Sequence, residues 1–305
     1  MVEFKKVAFG GWPNCYQLSN GKVELVITSD VGPRLIHFGF VGGPNQFCEV
    51  EDLIGKTGGD EWRIYGGHRF WYSPEDQVRT YYPDNSPITV EDKGDFIQVT
   101  QPVEPTTGLQ KQIDIRMDAA EAQVTVTHRL INTGLFALET GPWALSVMAT
   151  GGVAILPLPP RGTHPEDLQP VNTLVQWAYN DLSDPRWTWG KKFIMLRQDV
   201  NGAPQKIGAS TTEHWIAYVN DGTMFVKQYP KHENATYPDF GSQIELYSCD
   251  FMLELETLAP IGLIEPGATA EHTEVWNLFA DVPAVDSEAD IEAHVLPLIK
   301  PIVSA

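Results

Sequence analysis

Apolar residues in this chain recur with a period of two, in short segments cut off by glycine or proline. That pattern constrains the fold more than any other feature, because it describes half-buried strands joined by turns. In residues 122–131, Val124, Val126, His128 and Leu130 share one side, and Thr125, Thr127 and Arg129 share the other. Residues 22–28 alternate likewise through Val23, Leu25 and Ile27. Segments 34–40, 96–100 and 110–117 extend the series in the first half, and 193–197, 215–219, 223–228, 242–248, 251–258 and 272–279 in the second. Residues 143–148 and 153–158 are near-continuous apolar runs, as expected of strands covered on both faces. With 26 glycines and 23 prolines as punctuation, the chain reads as a large antiparallel β-sandwich. One helix is expected, at the C-terminus. Ser287-Glu288-Ala289-Asp290 resembles a capping box, and Ile291, Val295 and Leu298 follow at helical spacing until Pro297 disturbs the end.

A composition of 42% hydrophobic and 20% charged residues supports a core that needs no staples. The loop over residues 157–176 is polar and proline-bearing, but strands resume beyond it in the same style. It therefore reads as an excursion lining a cleft, and residues 1–305 as one domain. The formal charge of −19 excludes nucleic acid and an anionic membrane surface as partners, since both demand a basic face. No signal-peptide core and no span of membrane length is visible, and the three cysteines, Cys15, Cys48 and Cys249, are far apart. A cytoplasmic location is expected. Self-association into a homo-oligomer is left open.

Four stretches hold residues suited to chemistry. In residues 64–76, Gly66-Gly67 precede His68 and Arg69, with Tyr65, Phe70, Trp71 and Tyr72 as flat faces for a cleft floor. An aromatic edge strand with solvated charges would account for the same residues. The turn Val31-Gly32-Pro33 delivers Arg34 to a strand, either as a ligand donor or as a surface arginine. Lys227, Tyr229, His232 and Asp239 fall in or beside a loop that suits binding or plain solvation. In Leu253-Glu254-Leu255-Glu256-Thr257, alternation puts both glutamates on one face, where they line a concave sheet or meet solvent. A glutamate raised in such a cleft is a general base near neutral pH. His128 lies on an apolar strand face and reads as a core histidine; His272 could be structural too. No transition-metal spacing and no nucleotide or dinucleotide fingerprint occurs, so neither a transition metal nor a cofactor is expected, and calcium binding is left open.

Together these stretches resemble the galactose mutarotase (aldose 1-epimerase) superfamily, in a divergent and largely uncharacterised branch. The resemblance runs from residue 20 to about residue 279. It rests on Gly32-Pro33-Arg34, on residues 65–71 and 142–148, on Tyr237-Pro238-Asp239-Phe240-Gly241, on Leu253 to Thr257, on Glu265-Pro266-Gly267 and on His272 to Trp276. It implies an all-β supersandwich of antiparallel sheets with a sugar-binding cleft on a concave face. It also implies interconversion of the anomers of a sugar or sugar acid, a glutamate acting as base on the anomeric hydroxyl and a histidine as acid on the ring oxygen. Glu256, ahead of Pro266-Gly267, stands where the family has its base, and His68 is the counterpart of one histidine. The second family histidine has no counterpart; Trp143 stands in that region. The resemblance therefore yields His68 and Glu256 as the acid–base pair. Arg34, Arg69 and Lys227 are expected as donors, Trp71 and Trp143 as stacking surfaces, and Tyr65, Tyr229 and Asp239 as further binding residues. A non-catalytic sugar-binding module, or a lyase or glycoside hydrolase on the same fold, are the alternatives.

Overall fold

The computed structural model describes residues 2–303. Two antiparallel sheets face each other. The first has eleven strands, in the spatial order Glu3–Phe9, Trp12–Ser19, Val23–Ile27, Arg34–Phe40, His68–Ser73, Leu138–Met148, Leu253–Leu258, Ile244–Ser248, Gln205–Ala209 and Leu174–Gln176. The eleventh, Gly262–Ile264, pairs with the first residues of Leu138–Met148. The second sheet has ten: Trp187–Trp189, Phe193–Arg197, Val153–Pro157, Trp215–Asn220, Thr223–Gln228, Thr269–Phe279, Gln123–Asn132, Leu109–Met117, Ile97–Thr100 and Thr89–Asp92.

The alternation read from the sequence is the division between inside and outside. In Gln123–Asn132 the residues Val124, Val126, His128 and Leu130 are buried and their neighbours are half-exposed. The main core lies between the sheets and is knitted by Phe38, Phe47, Phe225 and Trp276, whose ring centroids are 5.7 to 6.3 Å apart. Each such ring, removed from water, contributes about 2 to 3 kcal/mol.

The two apolar runs are covered on both faces, each for its own reason. In Val153–Pro157, Ala154 and Leu156 point into the main core, while Val153 and Ile155 lie under the C-terminal helical segment. In Leu138–Met148, Met148 faces the main core, while Trp143 and Leu145 join an aromatic cluster on the outer face of the eleven-stranded sheet.

The C-terminal segment begins as expected: the Ser287 hydroxyl accepts from the Asp290 N–H at 3.3 Å. It does not end at Pro297. A wider turn, Ile291–Val295, leads into the helix Leu296–Val303, and Ile291, Val295 and Ile299 bury one face against the ten-stranded sheet. Pro297 follows closely on that wider turn, where the backbone bonding has shifted from its regular spacing. Among the described residues, no helix is long and apolar enough to cross a membrane.

Strands at both chain ends of the sheets also went beyond the alternating segments, notably Gln205–Ala209. Its sequence, Gln-Lys-Ile-Gly-Ala, offers one large apolar side chain and no alternation to detect.

Candidate functional site

A cavity of about 660 Å³ opens on the outer face of the eleven-stranded sheet. Its floor is the central strands: Arg69 and Trp71 from His68–Ser73, Trp143 and Leu145 from Leu138–Met148, Glu254 from Leu253–Leu258, Tyr247 from Ile244–Ser248 and Lys206 from Gln205–Ala209. Loops raise the walls, supplying Trp62 and Ile64, Glu75 and Tyr81, Trp177 and Tyr179, and Phe251 and Met252. Rigid strands below and aromatic loops above are the usual construction of a small-molecule site.

The strand register assembles the floor. Leu145 pairs with Arg69 on one side and with Glu256 on the other, and Glu256 is opposite Glu245 on the next strand. Side chains in such a row project to the same face. Arg69 ion-pairs with Glu254 at 2.7 Å, and its guanidinium carbon lies 4.4 Å from the Trp71 ring centroid and 5.5 Å from that of Trp62. Its Nε and Nη1 nevertheless make no well-aligned hydrogen bond, although Arg69 is almost fully buried. Lys206 lies between the Trp143 and Trp177 rings, at 4.9 and 4.8 Å, and reaches Glu245 at 2.6 Å and Glu256 at 3.1 Å. The Trp143 indole N–H donates to Glu256 at 2.9 Å.

Two enclosed carboxylates therefore share one ammonium. Burial pushes the Glu245 carboxyl well above its ordinary range; Lys206 opposes this and Glu256 reinforces it. Glu256 is raised as well, by burial first, with Lys206 opposing and Glu254 adding to the rise. Burial alone would lower the Lys206 ammonium, but Glu245 and Glu256 hold it well above its usual value. The trio thus keeps a fixed positive charge and a carboxylate pair that takes up a proton more readily than an isolated carboxylate.

His68 does not belong to this cavity. One residue along the strand from Arg69, its side chain points through the sheet into the space between the sheets, with no exposure. Strand alternation that brings Arg69 and Trp71 to the cavity must send His68, Phe70 and Tyr72 the other way. Glu256 projects to the cavity side, so the expected His68–Glu256 pair is separated by the sheet and cannot serve one ligand atom.

In the interior, the His68 Nε2 meets His128 Nε2 at 2.7 Å, and its Nδ1 meets the Ser146 hydroxyl at 2.8 Å. His128 Nδ1 donates to the His272 carbonyl at 2.9 Å, which leaves His128 Nε2 as acceptor and His68 Nε2 as donor. Thr257 bridges His272 and Glu274, and Lys227 ion-pairs with Glu274 at 3.0 Å while donating to the Leu255 carbonyl at 3.0 Å. The His68–His128, Thr257–His272, Thr257–Glu274 and Lys227–Leu255 bonds cross from sheet to sheet. Burial, then Lys227 and the neighbouring histidines, hold the His68 imidazole well below its normal value. Burial chiefly lowers His128, and pushes His272 down to about 3. For Glu274, burial would raise the carboxyl, yet Lys227, with the hydrogen bond from Thr257 adding, holds it below the usual range. His68, His128 and Glu274 are close enough to hold a metal ion. An N–H···N bond between the two histidines and an ammonium on the glutamate already use those donors, so the set fits a neutral hydrogen-bonded brace better than a cation.

The remaining expected residues divide clearly. Arg69, Trp71 and Trp143 line the cavity, and Glu256 stands behind Lys206 at its floor. Arg34 is fully buried; it donates to Asp84 at 2.9 and 3.0 Å and to the carbonyls of Arg63 and Ile64, so its guanidinium fastens the loop leading into His68–Ser73. Tyr65 is buried beside Trp12, its hydroxyl on Asn85 at 2.8 Å. Lys227 belongs to the interior brace, Tyr229 to the inter-sheet core, and neither Tyr229 nor Asp239 lines the cavity. Gly66 and Gly67 do permit what a Cβ would forbid: at φ 101° and 69°, a Cβ would collide with the Cys48 and Leu35 carbonyl oxygens. The 157–176 loop lines a separate depression, and only the residues just after it, Trp177 and Tyr179, reach the cavity.

Lys206, Glu245, Trp62, Tyr81, Trp177, Tyr179 and Tyr247 are among the site residues that the sequence did not disclose. Lys206 sits in the strand without alternation. Glu245 alternates correctly in Ile244–Ser248, but only the pairing opposite Glu256 gives it meaning.

No family model matches the chain, and no curated protein matches it. Solved structures do. A galactose mutarotase-like protein from Lactobacillus casei superposes with a TM-score of 0.58 at 9% identity, over 87% of this chain and 100% of that one. A galactose mutarotase-like protein from Clostridium acetobutylicum gives 0.58 at 11% identity, over 92% and 99%. A TPR-domain containing protein from Parabacteroides distasonis gives 0.59 at 15% identity over 89% of this chain; the chain spans 48% of that longer protein. The chain thus has the galactose mutarotase-like fold, as a divergent example of it.

Proposed function

We propose that the cavity binds a sugar ring and that Glu256, with Glu245 and Lys206, exchanges protons with its anomeric hydroxyl. The observation that carries this reading is the floor: two enclosed carboxylates and one lysine held between the Trp143 and Trp177 rings. Aromatic faces suit the apolar side of a pyranose, and the Arg69–Glu254 pair on the cavity lining suits its hydroxyls.

In anomer interconversion the anomeric O–H loses its proton, the C1–O5 bond breaks and O5 gains a proton; the reverse sequence closes the ring on either face. The Lys206 ammonium passes one proton to the Glu256–Glu245 pair as it takes the proton from the anomeric hydroxyl, so its charge is kept, and the protonated pair returns a proton through Lys206 to O5. Lys206 is the member of the trio that reaches the cavity, so it hydrogen-bonds the sugar and connects it to Glu256. Arg69 orients the ring. His68 takes no part.

The test is anomeric exchange followed by NMR on the sugar that binds. Glu256→Gln should slow exchange by about a hundredfold or more while retaining binding. Unchanged exchange in that variant removes the proposed base. A second reading, a sugar-binding module without catalysis, is favoured by one fact: Glu256 is wholly enclosed and does not itself line the cavity. Binding without accelerated exchange in the wild type selects it.

A further inference from the structure

We infer that the separate hollow along the 157–176 loop is a second binding site, for a flat aromatic ring that carries a phosphate. It is independent of the sugar-binding reading. The hollow encloses about 720 Å³, a volume that small ligands commonly fill. It lies where both sheets end: Leu174 belongs to the terminal strand of the eleven-stranded sheet and Trp189 to the terminal strand of the ten-stranded one. Val171 adds apolar surface, and Arg161, His164 and Lys191 bring basic groups from two different segments. The Leu158 N–H, donated to the Lys192 carbonyl at 2.8 Å, ties those two segments together.

Charge is the first argument. The chain has 40 acidic residues against 21 lysines and arginines, so acidic partners are plentiful. Yet among the described residues neither Arg161 nor Lys191 has a carboxylate within 4.0 Å. The acids around them are engaged elsewhere. Asp167 closes its own turn, its carboxylate accepting from the Thr163 N–H at 2.8 Å, and Glu166 accepts from the Thr163 hydroxyl at 3.1 Å. Glu288 accepts from the Lys192 and Phe193 N–H groups at 2.5 and 3.0 Å, and Glu292 pairs with the Lys192 ammonium at 2.5 Å. An apolar hollow is thus left with two uncompensated cations, which a phosphate dianion balances; a guanidinium fork and an ammonium are both suited to its oxygens.

The aromatic wall is the second argument. The Trp189 ring stacks on buried Trp187, with centroids 5.1 Å apart and 28° between planes, and its indole N–H donates to the Leu182 carbonyl at 3.2 Å. Trp187 is held in turn by Gln205, which accepts its N–H at 3.1 Å. Trp189 nevertheless stays 40% exposed. A ring so fixed, and so open, is a stacking surface for a planar ligand ring.

Calorimetric titration at low salt tests the inference, with adenosine monophosphate and phenyl phosphate as probes. Adenosine and phenol supply the ring without the charge, and inorganic phosphate the charge without the ring. At least one ring phosphate should bind about tenfold or more tighter than its neutral parent and than inorganic phosphate, and should weaken as salt rises. The tighter of the two probes tells a nucleotide from a simple aryl phosphate. The double variant Arg161→Gln, Lys191→Gln should lose about tenfold or more, and so should Trp189→Ala. The double variant Lys6→Gln, Lys56→Gln removes the same charge from exposed positions elsewhere and should change affinity by less than about twofold. Thermal unfolding of each variant verifies that it is folded. Failure of both ring phosphates to bind, affinity no better than that of inorganic phosphate, or binding unaltered by the Arg161, Lys191 and Trp189 substitutions overturns the site. An equal loss in the Lys6, Lys56 variant overturns it as well, because the effect would then belong to net charge.

Discussion

At the scale of single residues, one step along a strand decides a role. Arg69 and His68 are neighbours in sequence, yet one meets the cavity and the other the interior. His68→Ala should therefore cost about 2 to 4 kcal/mol of stability, because it leaves a void and two unpaired polar groups at His128 and Ser146. Sugar affinity of the folded variant should stay within about twofold, below the 1.4 kcal/mol that a tenfold change requires. Denaturation and titration of the same preparation measure both, and a large loss of affinity in a stable protein would return His68 to the site. Lys206→Met should be worse for folding, by about 3 to 5 kcal/mol, since it strands two enclosed carboxylates. The double variant Lys206→Met, Glu245→Gln should recover part of that loss. No recovery would mean that the two residues do not share one charge balance.

Much of the site was legible at this scale, and for stated reasons. Glu254 and Glu256 declare themselves because leucines flank them, and Arg69 and Trp71 because a double glycine and an aromatic run mark the strand. What failed was the phase of that strand. Residues His68, Phe70 and Tyr72 are as apolar or aromatic as Trp71, so the two faces look alike in sequence. Local sequence cannot tell a face buried in the core from a face buried in a cavity. Arg34 and Lys227 were read as ligand donors because their partners, Asp84 and Glu274, are about fifty residues away in the chain.

At the scale of elements, the interior brace ties the strands that carry the floor to those of the opposite sheet. His68, Ser146 and Thr257 come from the eleven-stranded sheet; His128, Lys227, His272 and Glu274 come from the ten-stranded one. The three histidines are neutral in the fold and lie below their unfolded value, so the unfolded chain binds protons first as pH falls. Their contribution is complete above an unfolded pKa of about 6.5 and is lost progressively below it, toward about 3 for His272. Glu245 and Glu256, raised in the fold, act oppositely and gain stability as pH falls through their folded values. Histidines outnumber them, so unfolding free energy from urea titrations should decline between about pH 7 and pH 4.5. A flat or rising curve over that window contradicts the neutral brace.

At the scale of the whole molecule, period-two patterning and turn residues were enough to anticipate an antiparallel sandwich, because burial alternates wherever one sheet face meets the core. They could not anticipate that the sheet's outer face would also be buried at its centre, where loops from residues 62–64, 75–81 and 177–179 close over it. That second burial is what makes a site. On the proposed function this face, and not the histidine-rich interior, receives the sugar. Saturation-transfer NMR with a panel of hexoses, pentoses and short oligosaccharides tests this most directly, on the wild type and on Trp71→Ala. Transfer to sugar ring protons in the wild type, lost in a folded Trp71→Ala, is the predicted result. Silence of the wild type across the panel, or transfer undiminished by Trp71→Ala, would contradict it.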